Sequence, residues 1–157
     1  MIAEIVVAAL WGVAVAGIGA WLTELSPWYY ALRKPAWQPP DWLFGPAWSV
    51  ILALASLSAF LGWRSAGDSG SRTLIVGLFL ANGVLNILWT PLFFNLRRPD
   101  WALIEVPFLW LSILAPMIVL APVSPVASVL LAPYLAWVSF AAVLNLTIVR
   151  LNQPFVA

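Results

Sequence analysis

The sequence predicts an all-α membrane protein, a five-transmembrane-helix bundle. Three observations predict it. Five apolar stretches, each about as long as a bilayer crossing, take up most of the 157 residues. Hydrophobic residues make up 64% of the chain and charged residues 8%, against about 45–50% and about 25% in a soluble domain. The stretches are continuously apolar rather than alternating, which argues against a β-barrel. Helices satisfy their own backbone in lipid and are the expected solution.

The first stretch, 2–23, is longer than a signal-peptide core, and Met1-Ile2-Ala3-Glu4 lacks the positive flank of one. It reads as a retained helix. Ala8, Gly12, Ala16 and Ala20 recur along it every four residues, a ladder that lets another helix approach closely. The partner is either a neighbour in the bundle or a second copy. The connection 24–43 is long for an unstructured loop. Its five aromatics (Trp28, Tyr29, Tyr30, Trp37 and Trp42) argue against disorder, so it reads as a lid.

The second and third helices are expected over 44–63 and 73–95, joined by a polar turn containing Gly67, Asp68, Ser69, Gly70 and Ser71. On the third, Asn82, Asn86 and Trp89 share a face. The amides either bond across helices or form a polar point in an apolar pocket. Pro91 is expected to kink the helix end. Gly77 and Ala81 repeat the small-residue choice of the first helix.

The fourth helix is expected over 101–120, with Trp101, Glu105 and Phe108 on one face. Glu105 lies about one turn inside the membrane edge and is a functional candidate by its position. Pairing with Arg97 or Arg98, or snorkelling to water, is the structural alternative. Pro107 and Pro116 should bend this helix and free backbone carbonyls. The fifth helix, 126–149, brings Tyr134, Trp137, Ala141 and Asn145 close to one face. A large aromatic beside a small residue makes a slot for a flat ring, unless the stripe is ordinary packing. The whole of 1–157 reads as one transmembrane domain.

Five spans place Arg33, Lys34, Arg97, Arg98 and Arg150 on one side, and Arg64 and Arg72 on the other. The positive-inside rule then sets the N-terminus on the non-cytoplasmic side. Trp21, Trp42, Trp63 and Trp101 lie near span ends, as in an interfacial belt. Net charge is +1, so nucleic acid is not an expected partner. With no Cys and no His, thiolate chemistry, the commonest metal ligand and the usual general base are all missing from the sequence. No catalytic residue set and no metal site is expected, and no cofactor is obligatory.

The run Trp28-Tyr29 … Lys34-Pro35-Ala36-Trp37-Gln38-Pro39-Pro40 resembles the W-Y…K-P-x-W-x-P-P signature of the TspO/MBR family. Further similarities follow in register: Pro46-Ala47-Trp48, Leu85-Asn86 … Trp89-Thr90-Pro91-Leu92-Phe93-Phe94, Trp101-Ala102-Leu103, and Pro133-Tyr134-Leu135-Ala136-Trp137 … Phe140-Ala141 … Leu144-Asn145. The resemblance implies a five-helix bundle, usually a homodimer, with an apolar pocket under the first loop. It implies porphyrins, protoporphyrin IX among them, and other flat hydrophobic molecules as ligands. The implied pocket residues are Trp28, Trp37, Pro40, Trp48, Asn82, Asn86, Trp89, Trp101, Glu105, Trp137 and Ala141. It also implies an alternative activity, light-dependent degradation of protoporphyrin IX through Trp28, Trp48 and Trp137.

Three departures stand out. Asn82 replaces a more usual Gln, Val50-Ile51-Leu52 lacks a usual Tyr, and Leu144–Arg150 lacks the Tyr of a sterol motif. Sterol binding through that motif is therefore not expected. The sequence-level expectation is a porphyrin-binding sensor or carrier in the lipid bilayer, with a bacterial cell-envelope membrane as its place. A transporter is disfavoured by the odd number of spans without internal repeat. A membrane scaffold remains open.

Overall fold

The computed structural model describes residues 2–155; Met1, Val156 and Ala157, counted in the single domain read from the sequence, lie outside the described residues. The chain forms α1 (Ile2–Leu22), a short α2 (Pro27–Ala31), α3 (Asp41–Ser65), α4 (Ser69–Thr90), a π-helical turn (Pro91–Asn95), α5 (Pro99–Leu120), a short α6 (Pro125–Val129) and α7 (Ala132–Asn152). No strand occurs among the described residues. Five helical segments are long and apolar enough to cross a membrane. The architecture is thus all-α with five membrane-spanning helices. A 21-residue helix such as α1 rises about 32 Å, close to the hydrocarbon thickness.

Each boundary has a chemical cause. Asp68 caps α4 by accepting from the Ser71 N–H at 3.0 Å and the Ser71 hydroxyl at 2.6 Å. Those two bonds hold its carboxyl below the usual carboxylate range. Pro91, expected to kink the end of the third helix, opens a π turn there. It has no N–H to give to the preceding turn, and the chain closes through Leu96 N–H to the Pro91 carbonyl at 2.8 Å. The fifth span is broken at Leu130 and Leu131, two residues before Pro133. The α6 turn is fastened on both sides: the Ser58 hydroxyl donates to the Ala127 carbonyl at 2.6 Å, and Ser128 to the Met117 carbonyl at 2.8 Å. Helix α5 runs unbroken through Pro107 and Pro116.

The spans form a ring in the order α3, α1, α4, α5, α7, closing back on α3. Helices that are apolar all round offer each other no hydrophobic gradient in lipid. Small residues and polar bonds set their seams. Gly12 is buried against α3, where a Cβ would collide with Ser56 Oγ. The ladder on α1 therefore serves the bundle at that rung. The Trp11 indole N–H donates to the Phe79 carbonyl at 3.0 Å, joining α1 to α4. Asn82 donates to Ser112 Oγ at 2.9 Å, joining α4 to α5, and Trp110 donates to Ser139 Oγ at 2.9 Å, joining α5 to α7. The α3–α7 seam is the sparsest in the ring, and aromatic rings fill it.

The tightness of the α1–α4 seam gives a first prediction. A Cβ on Gly83 would lie 2.7 Å from Trp11 Nε1 and 3.2 Å from a Val15 methyl, whereas one on Gly17 would meet nothing within 4 Å. Gly83→Val should destabilise the bundle by about 1–3 kcal/mol. Gly17→Ala should be neutral or slightly stabilising. Thermal melts of helix content in detergent read both, and equal melting of the two variants would contradict the packing described.

Candidate functional site

The segment 24–43, expected as a lid, is a built structure. The Tyr29 hydroxyl donates to Asp41 Oδ1 at 2.7 Å, and Gln38 Nε2 donates to the Tyr29 oxygen at 3.3 Å. The Lys34 ammonium stands 3.5 Å from the Tyr29 ring centre. Burial, then the Asp41 carboxylate, pushes the Tyr29 phenol above its usual range, and burial lowers the Lys34 ammonium. The far side of the lid is fastened to the last turn of α7. The Arg33 N–H donates to Asn152 Oδ1, and Asn152 Nδ2 donates to the Arg33 carbonyl, both at 2.8 Å.

Under the lid lie two aromatic groups. In the first, Trp37 of the lid meets Phe140 edge-on at 5.9 Å, and Phe140 meets Trp137 at 5.5 Å. Trp137 also touches Phe44 at 5.7 Å and Trp48 at 6.4 Å, and Trp48 touches Tyr134 at 5.8 Å. In the second, Trp89 stacks on Phe93 at 4.9 Å, and Trp28 meets Phe93 edge-on at 6.3 Å. Such ring contacts contribute about 0.5–1.5 kcal/mol each beyond area burial. Trp89 packs against both groups and bridges them.

The polar groups follow the same division. Asn82, 2% exposed, is satisfied by Ser112, and Asn86 donates to the Tyr134 hydroxyl at 2.7 Å. The amides therefore bond across helices. Asn145 clamps the first turn of α5, with its nitrogen toward the Pro99 carbonyl (3.0 Å) and its oxygen toward the Leu103 N–H (3.1 Å).

Glu105 breaks the pattern. It is 7% exposed, and neither carboxylate oxygen has a partner. The structural alternative of pairing with an arginine does not hold, because Arg98 is engaged by Asp100 instead, through Nε at 2.8 Å. Nor does Glu105 reach water with Trp101 and Phe108. Those two are exposed, while Glu105 turns toward the buried stripe of Ala102, Val106 and Leu109. Four residues advance a helix by about 40°, enough to separate neighbours at the edge of a stripe. The Trp137 indole nitrogen is the complementary case, a buried donor with no acceptor.

The residues predicted from sequence thus fall into three places. Trp37, Trp48 and Trp137 converge, with Asn86 joined to them through Tyr134. Trp28 and Trp89 meet at Phe93. Trp101 stands apart beneath the Arg98 guanidinium at 4.4 Å, on a lateral groove that Trp28 also lines. Ala141 is half-buried on α7, and Pro40 sits exposed at the start of α3. Tyr134, Phe44, Phe140 and Phe93 are hubs that the sequence reading left out of the site. Tyr134 carried a usable signal, since it lies one turn before Trp137 on the same helix. Among the described residues no group of three or more acidic side chains could hold a metal ion.

The sequence that builds these spans and the segment 24–43 matches a known protein family. The family model of the TspO/MBR family matches residues 5–151. The tryptophan-rich protein TspO of Chlorobaculum tepidum is 41% identical over 132 residues, covering 81% of each chain. Protein CrtK of Rhodobacter capsulatus is 36% identical over 146 residues, covering 92% of this chain and 91% of that protein. The human translocator protein is 35% identical over 127 residues, covering 80% of this chain and 75% of that one. The five spans, the lid signature and these relatives agree, and the chain is a multi-pass membrane protein belonging to the TspO/MBR family.

Proposed function

We propose that this protein binds porphyrins, protoporphyrin IX in particular, and other flat hydrophobic molecules inside the bundle, and acts as a tetrapyrrole sensor or carrier. The carrying observation is the mismatched pair of buried groups. Glu105 on α5 needs a donor and Trp137 Nε1 on α7 needs an acceptor; the two helices pack together, and Trp137 lies among the rings of Trp48 and Phe140. A buried polar group without a partner costs about 1–3 kcal/mol. A guest carrying both a donor and an acceptor would relieve both costs at once. A free-base porphyrin has pyrrole N–H donors and carboxylate acceptors on a flat apolar body. It brings no metal that this His-free, Cys-free chain would have to ligate. Edge-to-face indoles can part and reclose on such a ring, exchanging one aromatic contact for another. Arg33 and Lys34 of the lid are available for propionates. The names of two relatives, translocator protein and tryptophan-rich protein, accord with this reading.

Titrating protoporphyrin IX into the detergent-solubilised protein should quench tryptophan emission saturably. Trp48→Phe and Trp137→Phe should each weaken the binding. Emission unchanged at saturating porphyrin would remove the proposal. A second reading, light-dependent degradation of protoporphyrin IX, rests on the ring contact between Trp48 and Trp137. Bleaching under illumination beyond a protein-free control, lost in those same variants, would favour it.

We further propose a bacterial cell-envelope membrane, in keeping with the bacterial relatives, with the N-terminus on its non-cytoplasmic side from the distribution of Lys and Arg. A homodimer is supported by Gly77 and Ala81. Both are exposed on α4, and a Cβ at Gly77 would meet nothing within 4 Å, so this rung does not serve the bundle.

A further inference from the structure

A cavity lies outside the aromatic cluster. It is a lateral groove of about 660 Å³ where α2, the start of α5 and the end of α7 come together. Trp28, Trp101 and Phe155 wall it with rings, Asn152 closes one end, and Arg97 and Arg98 stand in it.

The two arginines are not equivalent. Arg98 is spent, bonded to both Asp100 oxygens and laid over the Trp101 ring. Arg97 is exposed and has no hydrogen bond or ion pair among the described residues. Arg97 is also the only non-glycine described residue with positive φ, at 56°. That conformation is unfavourable for an L side chain, and such strain concentrates at functional positions. It turns the chain from the π turn into α5 and leaves the guanidinium beside the groove. Among the described residues the pocket's charge balance is therefore one uncompensated cation, because Arg98 and Asp100 cancel.

The groove sits at the level where α5 begins and α7 ends, the height of lipid headgroups for helices of this length. An unspent guanidinium there takes a phosphate, for which its fork geometry is suited. Aromatic walls take the apolar part beneath it. A free inorganic anion would use the cation and have no use for the walls. Basic pockets between membrane helices commonly hold anionic headgroups.

We propose that this groove is a binding site for an anionic phospholipid, with Arg97 receiving the phosphodiester and Trp28, Trp101 and Phe155 the glycerol and upper acyl chain. The site shares Trp28 with the aromatic groups described above, but Arg97, which carries it, belongs to neither group, and it does not depend on the tetrapyrrole reading.

Native mass spectrometry of the purified full chain in neutral detergent tests it, with dioleoyl phosphatidylglycerol and dioleoyl phosphatidylcholine added in equal amounts. One phosphatidylglycerol per chain should be retained with at least about fivefold preference. Arg97→Gln should bring the preference to near unity, and Arg97→Lys should restore part of it. Arg150→Gln, which removes a charge not lining the groove, should leave it unchanged. Millimolar inorganic phosphate should not displace the lipid. Because Arg97 is exposed and unpaired, its variants should keep wild-type helix content and thermal melts. They should also keep wild-type porphyrin quenching, so that the two sites are read independently. Equal retention of the two lipids by the wild type, or an equal loss of preference in Arg97→Gln and Arg150→Gln, would overturn the site. Displacement by phosphate would overturn the lipid as its occupant.

Discussion

Glu105→Leu is expected to make the bundle more stable and to weaken protoporphyrin IX binding at least tenfold. The two effects have one origin. Both carboxylate oxygens of Glu105 are buried without partners, packed beside Ala102, Val106 and Leu109. Leucine removes two unsatisfied oxygens and adds apolar contact, a gain of about 1–3 kcal/mol. The same change removes the acceptor that a pyrrole N–H would find, and leaving that buried donor unpaired costs about 1–3 kcal/mol. The middle of that range, about 2 kcal/mol, corresponds to roughly thirtyfold in affinity. Glu105→Gln should fall between, since an amide keeps one acceptor and adds a donor. Thermal melts followed by circular dichroism, paired with quenching titrations, read both effects. A Leu variant that melts lower and binds as well as wild type would mean that Glu105 serves the fold and not a guest.

Loosening the lid is expected to shorten ligand residence by about ten- to hundredfold with little change in the on-rate. Asn152→Ala removes two bonds to the Arg33 backbone, and Tyr29→Phe removes the bond to Asp41. Each net hydrogen bond contributes about 0.5–1.5 kcal/mol. Changes confined to a closed cover appear mainly in release. Stopped-flow dissociation of bound porphyrin measures it, and limited proteolysis within residues 24–40 should become faster in the double variant. The Tyr29 staple also has a pH signature. Its phenol is raised by burial and by Asp41, so its stabilising contribution is complete below the ordinary tyrosine value of 10.0 and is lost as pH rises above it. Release from the wild type should therefore be constant through neutral pH and accelerate only in strong alkali, while Tyr29→Phe should lack that acceleration. Identical release rates in wild type and double variant would show that the lid does not gate the interior.

The fold class was plain in the sequence because membrane solvation leaves few alternatives. Continuous apolar runs must be helices, and five of them were countable. The order of the ring was not readable. These helices are apolar on every side, so periodicity marks no inward stripe. The seams are instead set by contacts such as Gly12 with Ser56 and Asn82 with Ser112. The same limit explains the placement of the site residues. Shared helical faces put Trp137 and Tyr134 together, and both rings touch Trp48, yet they also put Glu105 with Trp101 and Phe108, which the structure separates by exposure. The behaviour of Pro91 was hidden for another reason. Proline removes a donor in every context, but the widening into a π turn depends on later residues, here Leu96.

The bond between lid and final helix has a consequence for biogenesis. Arg33 and Asn152 are 119 positions apart in the chain. A ribosome releases the early residues well before the late ones, and membrane segments enter in that order. The cover is therefore made long before its latch exists. Until α7 has been threaded into the bilayer, the nascent protein holds an unlatched entrance, and a guest arriving during synthesis would meet no closed door.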